Sequence, residues 1–263
     1  MGQFPPPTFF RAGGDPNTLT FTILSLPNEP RFTCFLTSAG VNLVGPVRQE
    51  GDRSCPQPVG DSGCPFGENP HGGEGISQRQ ICDPIVFDFG GLGIDLTDAD
   101  DGVAFDIDAD GAADQVAWTS ARSRDAFLTL DRNGNGAVDD GGELFGNATR
   151  LVDGTFASDG YVVLAELDQP ENGGNGNGFI DRADRIYAEL RLWTDSNHDG
   201  VSAPSELTSL ETRAVVAIRT AARRSAATDE HGNRFALVSV AYVKTFGVVR
   251  PILTTDVFLV EAD

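Results

Sequence analysis

The sequence predicts an α+β fold in which a small N-terminal β unit precedes an acidic, loop-rich domain with short helices and C-terminal strands. The 263 residues include 31 glycines and 15 prolines, a composition that indicates many turns and few long helices. Strand-forming residues alternate with other types along 18–26, as they do in a half-buried strand. We therefore divide the chain into a small β-rich unit at 1–49, a Gly/Pro/Cys-rich linker or stapled loop at 50–82, and the acidic module at 83–263.

The individual elements follow from local patterns of apolar residues. Short apolar runs rich in β-branched and aromatic residues favour strands, whereas short helices are expected beside the acidic loops described below. The predicted strands lie at 18–26, 31–37, 41–47, 85–87, 215–218, 235–243 and 256–260. The predicted helices lie at 160–167, 182–191 and 204–212.

The negative charge is concentrated in one block of the chain. The formal net charge is −20, and residues 83–212 contain 27 acidic residues against seven arginines. Such a block would repel phosphates, so we expect no nucleic-acid partner. Aromatic residues such as Trp118 and Trp193 are interleaved with the acids, which argues against a solvated tail. The block therefore has the material for a core and needs a counter-ion in order to fold.

The sequence shows no element for insertion into a membrane. No apolar stretch approaches the roughly 20 residues that a membrane-spanning helix requires, so no membrane span is expected. The segment from Met1 to Pro7 also lacks a basic region followed by an apolar core, so no secretory signal is visible.

All four cysteines fall in the first 82 residues, within a region rich in glycine and proline. Their spacing matches no zinc pattern, and the three histidines are too few to complete one. Two disulfides in an oxidising compartment are therefore predicted, with three possible pairings; four buried thiols in a cytosolic protein are the alternative. The disulfide candidates are Cys34, Cys55, Cys64 and Cys82.

One segment of the acidic block has the spacing of a calcium-binding loop. Calcium takes six to eight oxygen ligands, which a loop supplies from positions 1, 3, 5, 7 and 12, with glycine at position 6 for the turn. The segment that starts at Asp195 has Gly200 at position 6 and Glu206 at position 12. Position 7 contributes a backbone carbonyl. The candidate ligands are Asp195, Asn197, Asp199, Val201 and Glu206.

A second segment, which starts at Asp131, has the same beginning. Its closing acid is Glu143, one position late, and Asp139 and Asp140 are alternatives for this role. The candidate ligands are Asp131, Asn133, Asn135, Asp139 and Glu143.

Three further segments fit the pattern less completely. The one at Asp106 has no acid at position 12, so Asp114 is expected to complete it, and another lacks its first ligand, for which Asp168 or Glu171 must substitute. The last keeps only Asp88 and Gly93. The candidate ligands of the first two are Asp106, Asp108, Asp110 and Asp114, and then Asn175, Asn177, Asp181 and Asp184. Together these loops predict that calcium is the counter-ion of the block.

These residues, in this order, resemble a known family. The resemblance lies in Asp83-Pro-Ile-Val-Phe-Asp88, Leu130-Asp-Arg-Asn-Gly-Asn-Gly136, Gly142-Glu-Leu-Phe-Gly146, Leu164-Ala-Glu-Leu-Asp168 and Leu192-Trp-Thr-Asp195. Over 83–263 the chain resembles the calcium-dependent self-processing module of iron-regulated, RTX-type exported bacterial proteins. This likeness leaves residues 1–82 unexplained.

The resemblance implies a specific chemistry. In that family calcium folds the module, which then cleaves an Asp–Pro bond at its own N-terminal edge; the matching residues here are Asp83 and Pro84. Attack by the Asp83 side chain on its own carbonyl would give a cyclic anhydride, which is opened by water or by a lysine amine. The implied partners are calcium ions and another protein's lysine or a cell-surface component, and the implied location is extracellular or at the cell surface.

Two functions remain open at this point. One is a calcium-binding module with a single-turnover autoproteolysis at Asp83–Pro84 and Asp–Lys ligation. The other is a purely structural or adhesive calcium-binding module with no catalytic activity. A conventional enzyme is not supported, because the sequence shows no nucleophile–base pair, phosphate loop or histidine cluster.

Overall fold

A computed structural model describes most of the acidic module and parts of the N-terminal region. The described residues are 19–22, 33–37, 40–44, 80–81, 83–121 and 123–262, with the backbone alone for those before residue 83. The chain forms two compact units, Met1–Val59 and Gly60–Asp263. The domain boundaries predicted at residues 49 and 82 remain predictions.

The first unit contains a three-stranded antiparallel sheet. Its strands are β1 (Leu19–Thr22), β2 (Thr33–Thr37) and β3 (Gly40–Val44), in the order β1-β2-β3. Each of them lies largely within a predicted strand. Cys34 is on β2, but its side chain is not described, and Cys55, Cys64 and Cys82 lie outside the described residues. The disulfides therefore stay a prediction.

The second unit is made almost entirely of strands. It has one α-helix, α1 (Gly160–Leu167), and three short 3-10 turns at Gly141–Glu143, Pro170–Asn172 and Arg185–Ala188. None of the helices in the described ranges is long and apolar enough to cross a membrane. The strands are β4 (Gln80–Ile81), β5 (Ile85–Phe87), β6 (Val103–Phe105), β7 (Asp114–Val116), β8 (Ala126–Thr129), β9 (Phe179–Asp181), β10 (Arg191–Trp193), β11 (Leu207–Ser209), β12 (Val215–Arg219), β13 (Arg223–Thr228), β14 (Arg234–Thr245) and β15 (Val248–Val260).

Eight of these strands form a curled antiparallel sheet that makes half a barrel. Their order is β11-β10-β8-β5-β15-β14-β12-β9, with β13 paired to β14 and β4 paired to β15. Strands β6 and β7 form a separate hairpin. The short strand β5, which follows Pro84, is therefore held between β8 and β15 in the middle of the sheet.

Both faces of the central strands are buried. Ile85 and Phe87 of β5 point into one core, and Val86 points into the other. This alternation follows from the two-residue period of a strand. The second core contains Trp118, Phe127 and Trp193, whose ring centroids lie 4.4 to 6.0 Å apart.

The predicted α+β fold is wrong, because the described residues are mostly β with a single α-helix. The acidic block does not form a loop domain of its own. Its strands β5, β8 and β10 lie in the same sheet as the C-terminal strands β12, β14 and β15. The acidic loops are connections between strands. The pattern of each loop could be recognised in the sequence, but the pairing of short strands that are far apart in the sequence could not be predicted.

Two of the three predicted helices are also wrong, whereas the helix at 160–167 is confirmed by α1. Arg185–Ala188 forms only a 3-10 turn, and the chain then enters β10. After the loop that ends at Glu206 the chain forms β11, where Thr208 lies opposite Leu192. The pairing of these residues with β10 overrides their local preference.

Candidate metal centres and the Asp83–Pro84 bond

The loop from Asp195 to Glu206 is built around two buried carboxylates. Asp195 accepts hydrogen bonds from the backbone N–H groups of Asp199 (3.2 Å) and Gly200 (2.9 Å), and from the indole N–H of Trp118 (3.0 Å). Glu206 accepts from two backbone N–H groups of the same loop. Oxygens of Asp195, Asp199 and Glu206 lie within 4.8 Å of one another. Three carboxylates thus converge on one point, a donor set that fits a hard cation.

The remaining predicted ligands of this loop lie at its exposed edge. The Asn197 amide donates to Asp199 (2.7 Å), and the Val201 N–H donates to the other oxygen of the same carboxylate (2.9 Å). His198 is turned away from the carboxylates, and its ring bonds the carbonyl oxygen of Thr119 at 2.9 Å. It fastens the loop to a neighbouring segment.

The loop from Asp131 to Glu143 repeats this arrangement. Asp131 accepts from three N–H groups of the loop, including that of Gly136 at 2.8 Å. Glu143 is 4% exposed and also accepts from three loop N–H groups, the shortest at 2.9 Å. Glu143 is one position later than the usual closing acid of such a loop. Its long side chain reaches back into the loop and so takes that role.

Asp139 and Asp140, the two alternatives to Glu143, have different surroundings. Asp140 caps the 3-10 turn that follows, since it accepts the N–H of Gly142 at 2.8 Å. Asp139 accepts the side-chain amides of Asn133 (2.8 Å) and Asn135 (2.5 Å). Asp139 therefore lies beside the predicted ligands Asn133 and Asn135, whereas the carboxylate of Asp140 caps the 3-10 turn.

The loop at Asp106 carries a third carboxylate cluster. Oxygens of Asp106, Asp108 and Asp110 lie within 4.8 Å of one another. Asp114, on β7, has a buried Oδ2 atom without a hydrogen-bond partner in the described part of the chain. Burial, and then the charge of nearby acids led by Asp108, raises the pKa of Asp114 to about 6. A buried oxygen without a partner beside three carboxylates is a donor set that fits a cation.

The fourth loop begins at Asp168, not at Glu171. Asp168 is 3% exposed and accepts the N–H of Gly178 at 2.8 Å. Asp184 is equally buried and accepts the N–H of Asn175 at 3.0 Å. The predicted ligands Asn177 and Asp181 bond each other at 3.1 Å. This loop therefore contains all four predicted ligands, with a longer connection after its first acid.

One hydrogen bond is common to all five loops. The first aspartate accepts the N–H of the loop glycine at 2.8 to 2.9 Å, and each of these glycines has a positive φ of 69 to 101°. A side chain would strain that conformation, which explains why the position is glycine. The pairs are Asp88–Gly93, Asp106–Gly111, Asp131–Gly136, Asp168–Gly178 and Asp195–Gly200.

Three of the loops are fastened to one another. The Ser202 hydroxyl accepts the N–H of Val138 (2.6 Å) and donates to its carbonyl (3.2 Å), which joins the 195 loop to the 131 loop. The N–H of Gly141 donates to the carbonyl of Asp106 at 2.7 Å and so joins the 131 loop to the 106 loop. The three loops are thereby connected by direct hydrogen bonds.

The Asp83–Pro84 bond is enclosed by two segments. Asp83 is 1% exposed; its carboxylate accepts the N–H of Asn147 at 2.7 Å, and the Pro84 carbonyl accepts the N–H of Val257 at 3.1 Å. Gly146 packs directly on the bond, where an added Cβ would lie 2.7 Å from the Asp83 carbonyl oxygen and 3.2 Å from the Pro84 nitrogen. The bordering cleft has no room for a water molecule.

A second buried carboxyl group, that of Asp256, is hydrogen-bonded to Asp83. Burial raises the pKa of Asp83 to about 7, although this hydrogen bond lowers it. Burial and the charge of Asp83 raise the pKa of Asp256 well above its ordinary value. Asp256 Oδ2 accepts the N–H of Gly160 at 3.1 Å. Two carboxylates offer only acceptors, so this contact requires one shared proton.

Comparison with known proteins decides the family. Residues 85–252, more than half of the chain, match the family model described as the SPM domain. The chain belongs to the SPM domain family. It is also 43% identical over 133 residues to the iron-regulated protein FrpA of Neisseria meningitidis serogroup C. That alignment covers 50% of this chain and 11% of the relative, so the chain spans a small part of the relative's length. The predicted resemblance to a self-processing module is thus confirmed.

Three residues of this SPM domain that contact the Asp83–Pro84 bond or its side chain were not predicted as site residues. Gly146 belonged to a motif used for the family resemblance, but nothing in its spacing showed what it packs against. Asn147 follows it without a pattern of its own. Asp256 carried a usable signal, because it is a single acid within the apolar C-terminal strand β15.

One segment of the SPM domain joins a candidate metal centre to the Asp83–Pro84 bond. Glu143 closes the 131 loop, and Gly146 and Asn147 contact the bond three and four residues later. Between them, the carbonyl of Phe145 accepts the N–H of Ile85 at 2.8 Å. The loop carboxylate and the bond are therefore joined by five consecutive residues, Glu143 to Asn147.

Proposed function

We propose that this SPM domain binds calcium in its acidic loops and then cleaves its own Asp83–Pro84 bond. The observation that carries the proposal is the segment from Glu143 to Asn147, which begins at a loop carboxylate and ends on the bond. A purely structural or adhesive calcium module needs the loops but has no need for this enclosure of one peptide bond.

The donor set of the loops fits calcium. All side-chain donors are carboxylate or amide oxygens, and the Asp114 oxygen without a partner lies beside the 106 cluster. Bound calcium would neutralise carboxylates that otherwise repel one another. The residues that would hold it are Asp106, Asp108, Asp110 and Asp114; Asp131, Asn133, Asn135, Asp139 and Glu143; Asp168, Asn175, Asn177, Asp181 and Asp184; and Asp195, Asn197, Asp199, Val201 and Glu206.

Cleavage itself needs only groups of the chain. The Asp83 carboxylate attacks its own carbonyl carbon and closes a five-membered cyclic anhydride, while the bond to the Pro84 nitrogen breaks and that nitrogen takes up a proton to leave as a secondary amine. Holding a nucleophile beside its target corresponds to an effective concentration on the order of 10⁵ M or more. Asn147 restrains the attacking side chain, and the lack of space for water in the cleft favours attack by Asp83 over direct hydrolysis.

The anhydride has two fates. Water opens it to a C-terminal aspartate, or the amine of a lysine attacks it and forms an Asp–Lys amide. Lys244 is the only lysine of the chain, so ligation would use a lysine of another protein. We place the module outside the cell or at its surface, because its relative FrpA is an exported RTX protein.

The test compares the purified full chain in millimolar calcium and in chelator, by reducing gel, intact mass and N-terminal sequencing. We expect calcium to produce one fragment that ends at Asp83 and one that begins at Pro84, whose masses add up to 27.9 kDa plus one water. Asp83→Ala should abolish this, and the second Asp–Pro pair, Asp15–Pro16, serves as an internal control that stays intact. Calcium-dependent folding with a single uncut mass would leave a structural calcium module.

A further inference from the structure

We propose that Asp256 is the catalytic acid of this reaction, delivering a proton to the Pro84 nitrogen as the Asp83–Pro84 bond breaks. This inference rests on the proposed self-cleavage. It gives a role to a buried acid that neither the sequence pattern nor the loops explain.

The reaction needs such a group. When the carbon–nitrogen bond breaks, the electron pair goes to the Pro84 nitrogen, and an amide anion is a very poor leaving group in a site closed to water. A proton supplied by a positioned acid in the transition state removes this obstacle and contributes about 10²- to 10⁴-fold in rate. The acid must lie within the enclosure of the bond.

The sheet places Asp256 there. Strand β15 pairs with β5 so that Asp256 lies opposite Ile85, and the next residue, Val257, donates its N–H to the Pro84 carbonyl at 3.1 Å. Asp256 is fully buried, and its carboxyl contacts the attacking carboxyl of Asp83. The acid therefore lies against the attacking carboxyl of Asp83 and is the neighbour, along β15, of the residue that holds the Pro84 carbonyl.

The two carboxyl oxygens of Asp256 have different surroundings. Oδ2 of Asp256 accepts the N–H of Gly160, whereas Oδ1 receives no hydrogen bond from any donor in the described residues. A proton on Oδ1 would give that buried atom a hydrogen to donate. We therefore take Asp256 as the protonated member of the pair, because its Oδ1 atom has no other partner in the described residues.

The groups around the pair reinforce this assignment. Asp159, the N-cap residue of α1, adds negative charge that raises the pKa of both carboxyls. Tyr161 of α1 donates its hydroxyl to Thr254 instead of to the pair. Strand β14 presents Leu237 opposite Asp256. In the described residues, the groups that shift the pKa of the two carboxyls include no arginine, lysine or histidine.

The step balances in atoms and charge. The Asp83 carboxylate forms the new carbon–oxygen bond, the carbon–nitrogen bond breaks, and the Asp256 proton moves to the Pro84 nitrogen, which leaves as a secondary amine. The Asp256 carboxylate remains. When water then opens the anhydride, one of the released protons restores the acid on Asp256.

A bell-shaped pH profile follows from these roles. The rate should fall as the pH drops below about 7, where Asp83 takes up a proton and can no longer attack. It should fall again at high pH, where Asp256 loses the proton that it donates. The high-pH limb is the signature of Asp256.

The experiment measures the rate of calcium-induced cleavage of the full chain against pH for wild type, Asp256→Asn and Asp125→Asn. Asp256→Asn should be slower by about 10²-fold or more and should lack the high-pH limb. Asp125 is a matched control, because it is another buried acid, 2% exposed, with a raised pKa of about 6 and no contact with the bond. Its replacement should leave the rate and the profile unchanged.

The outcomes separate the two proposals. Wild type that never cleaves overturns both. Folded Asp256→Asn that cleaves at the wild-type rate, or that keeps the high-pH limb, overturns the role of Asp256 and leaves self-cleavage standing. Near-UV circular dichroism reports folding. If Asp256→Asn does not fold, the pH profile of the wild type is the test instead. A wild-type profile without a fall in rate at high pH overturns the proposal. A fall in rate at the same high pH in Asp256→Glu as in the wild type also overturns it.

Discussion

Gly146 packs its α-carbon against the Asp83–Pro84 bond, and its backbone does not require glycine, since it is not among the residues with positive φ. The effect of Gly146→Ala should therefore come from the volume of the added Cβ and not from backbone strain. The added Cβ, 2.7 Å from the Asp83 carbonyl oxygen, must push the bond out of place. Because a displacement of about 1 Å can cost about 10²-fold in rate, we expect calcium-induced cleavage to slow by about that factor. Gel densitometry over time measures it.

Gly90→Ala is the matched control for this prediction. An added Cβ on Gly90 would make only an ordinary contact, 3.5 Å from Asp88 Oδ1. This variant should cleave at the wild-type rate. If both alanine variants cleave at the same rate, the close packing of Gly146 on the Asp83–Pro84 bond is not required for cleavage.

The role of Asp114 as a ligand of the 106 cluster can be tested directly by substitution. Asp114→Asn keeps the size of the side chain but removes one of the crowded negative charges. Because ligand charge sets the affinity of calcium loops, binding to this loop should weaken by about tenfold, as measured by calorimetric titration. Asp100→Asn, at an exposed position outside the loops, should bind calcium like wild type. Unchanged affinity in Asp114→Asn would remove this residue from the site.

At the scale of elements, the contact between Ser202 and Val138 joins two of the loops. Ser202→Ala leaves the buried N–H of Val138 without its partner, which costs about 1 to 3 kcal/mol. We expect calcium to bind the two loops less cooperatively, with a lower Hill coefficient in a chelator-competition titration. Ser205→Ala, at an exposed position of the same loop, should keep the wild-type coefficient. Equal coefficients in both variants would mean that the loops bind independently.

The elements also show what sequence could and could not predict. The helix at 160–167 was predictable, because Asp159 is a good N-cap and accepts the N–H of Val162 at 3.0 Å. The helix expected at 204–212 failed because Glu206 is used inside the loop and the next residues pair with β10. Interactions between residues that are close in sequence could be predicted, whereas interactions with a distant strand could not.

The candidate sites follow the same division. The loop aspartates and glycines were predictable because both partners of each hydrogen bond lie within one short segment, as for Asp195 and Gly200. Asp168 was only one of two alternatives, since ten residues separate it from Gly178 and break the usual spacing. Asp256 meets Asp83 only through the pairing of β15 with β5, and no spacing in the sequence encodes that contact.

For the whole molecule, the strongest constraint is a net charge of −20 on a chain whose acids lie mainly in one unit. Self-repulsion of this size opposes the compact state, and cations bound only by the folded state oppose the repulsion. On the proposed function, calcium would act on the stability of the whole unit and, through Glu143 to Asn147, on one peptide bond.

Metal-free protein should consequently become more stable as the pH falls from neutrality towards about 5. Burial raises the pKa of Asp83 to about 7 and that of Asp125 to about 6, above the ordinary value of 3.8, so the folded state binds more protons than the unfolded state in this range. Groups of this kind stabilise the fold below their unfolded pKa and lose that contribution as the pH rises through the folded pKa. Thermal melts in chelator, followed by the near-UV signal of the buried Trp118 and Trp193, should show a melting temperature that drops from about pH 5 to pH 7.5. Asp125→Asn should flatten part of this slope, and saturating calcium should raise the curve throughout. A melting temperature that rises with pH in chelator would contradict the raised pKa values of these two buried acids in the folded state.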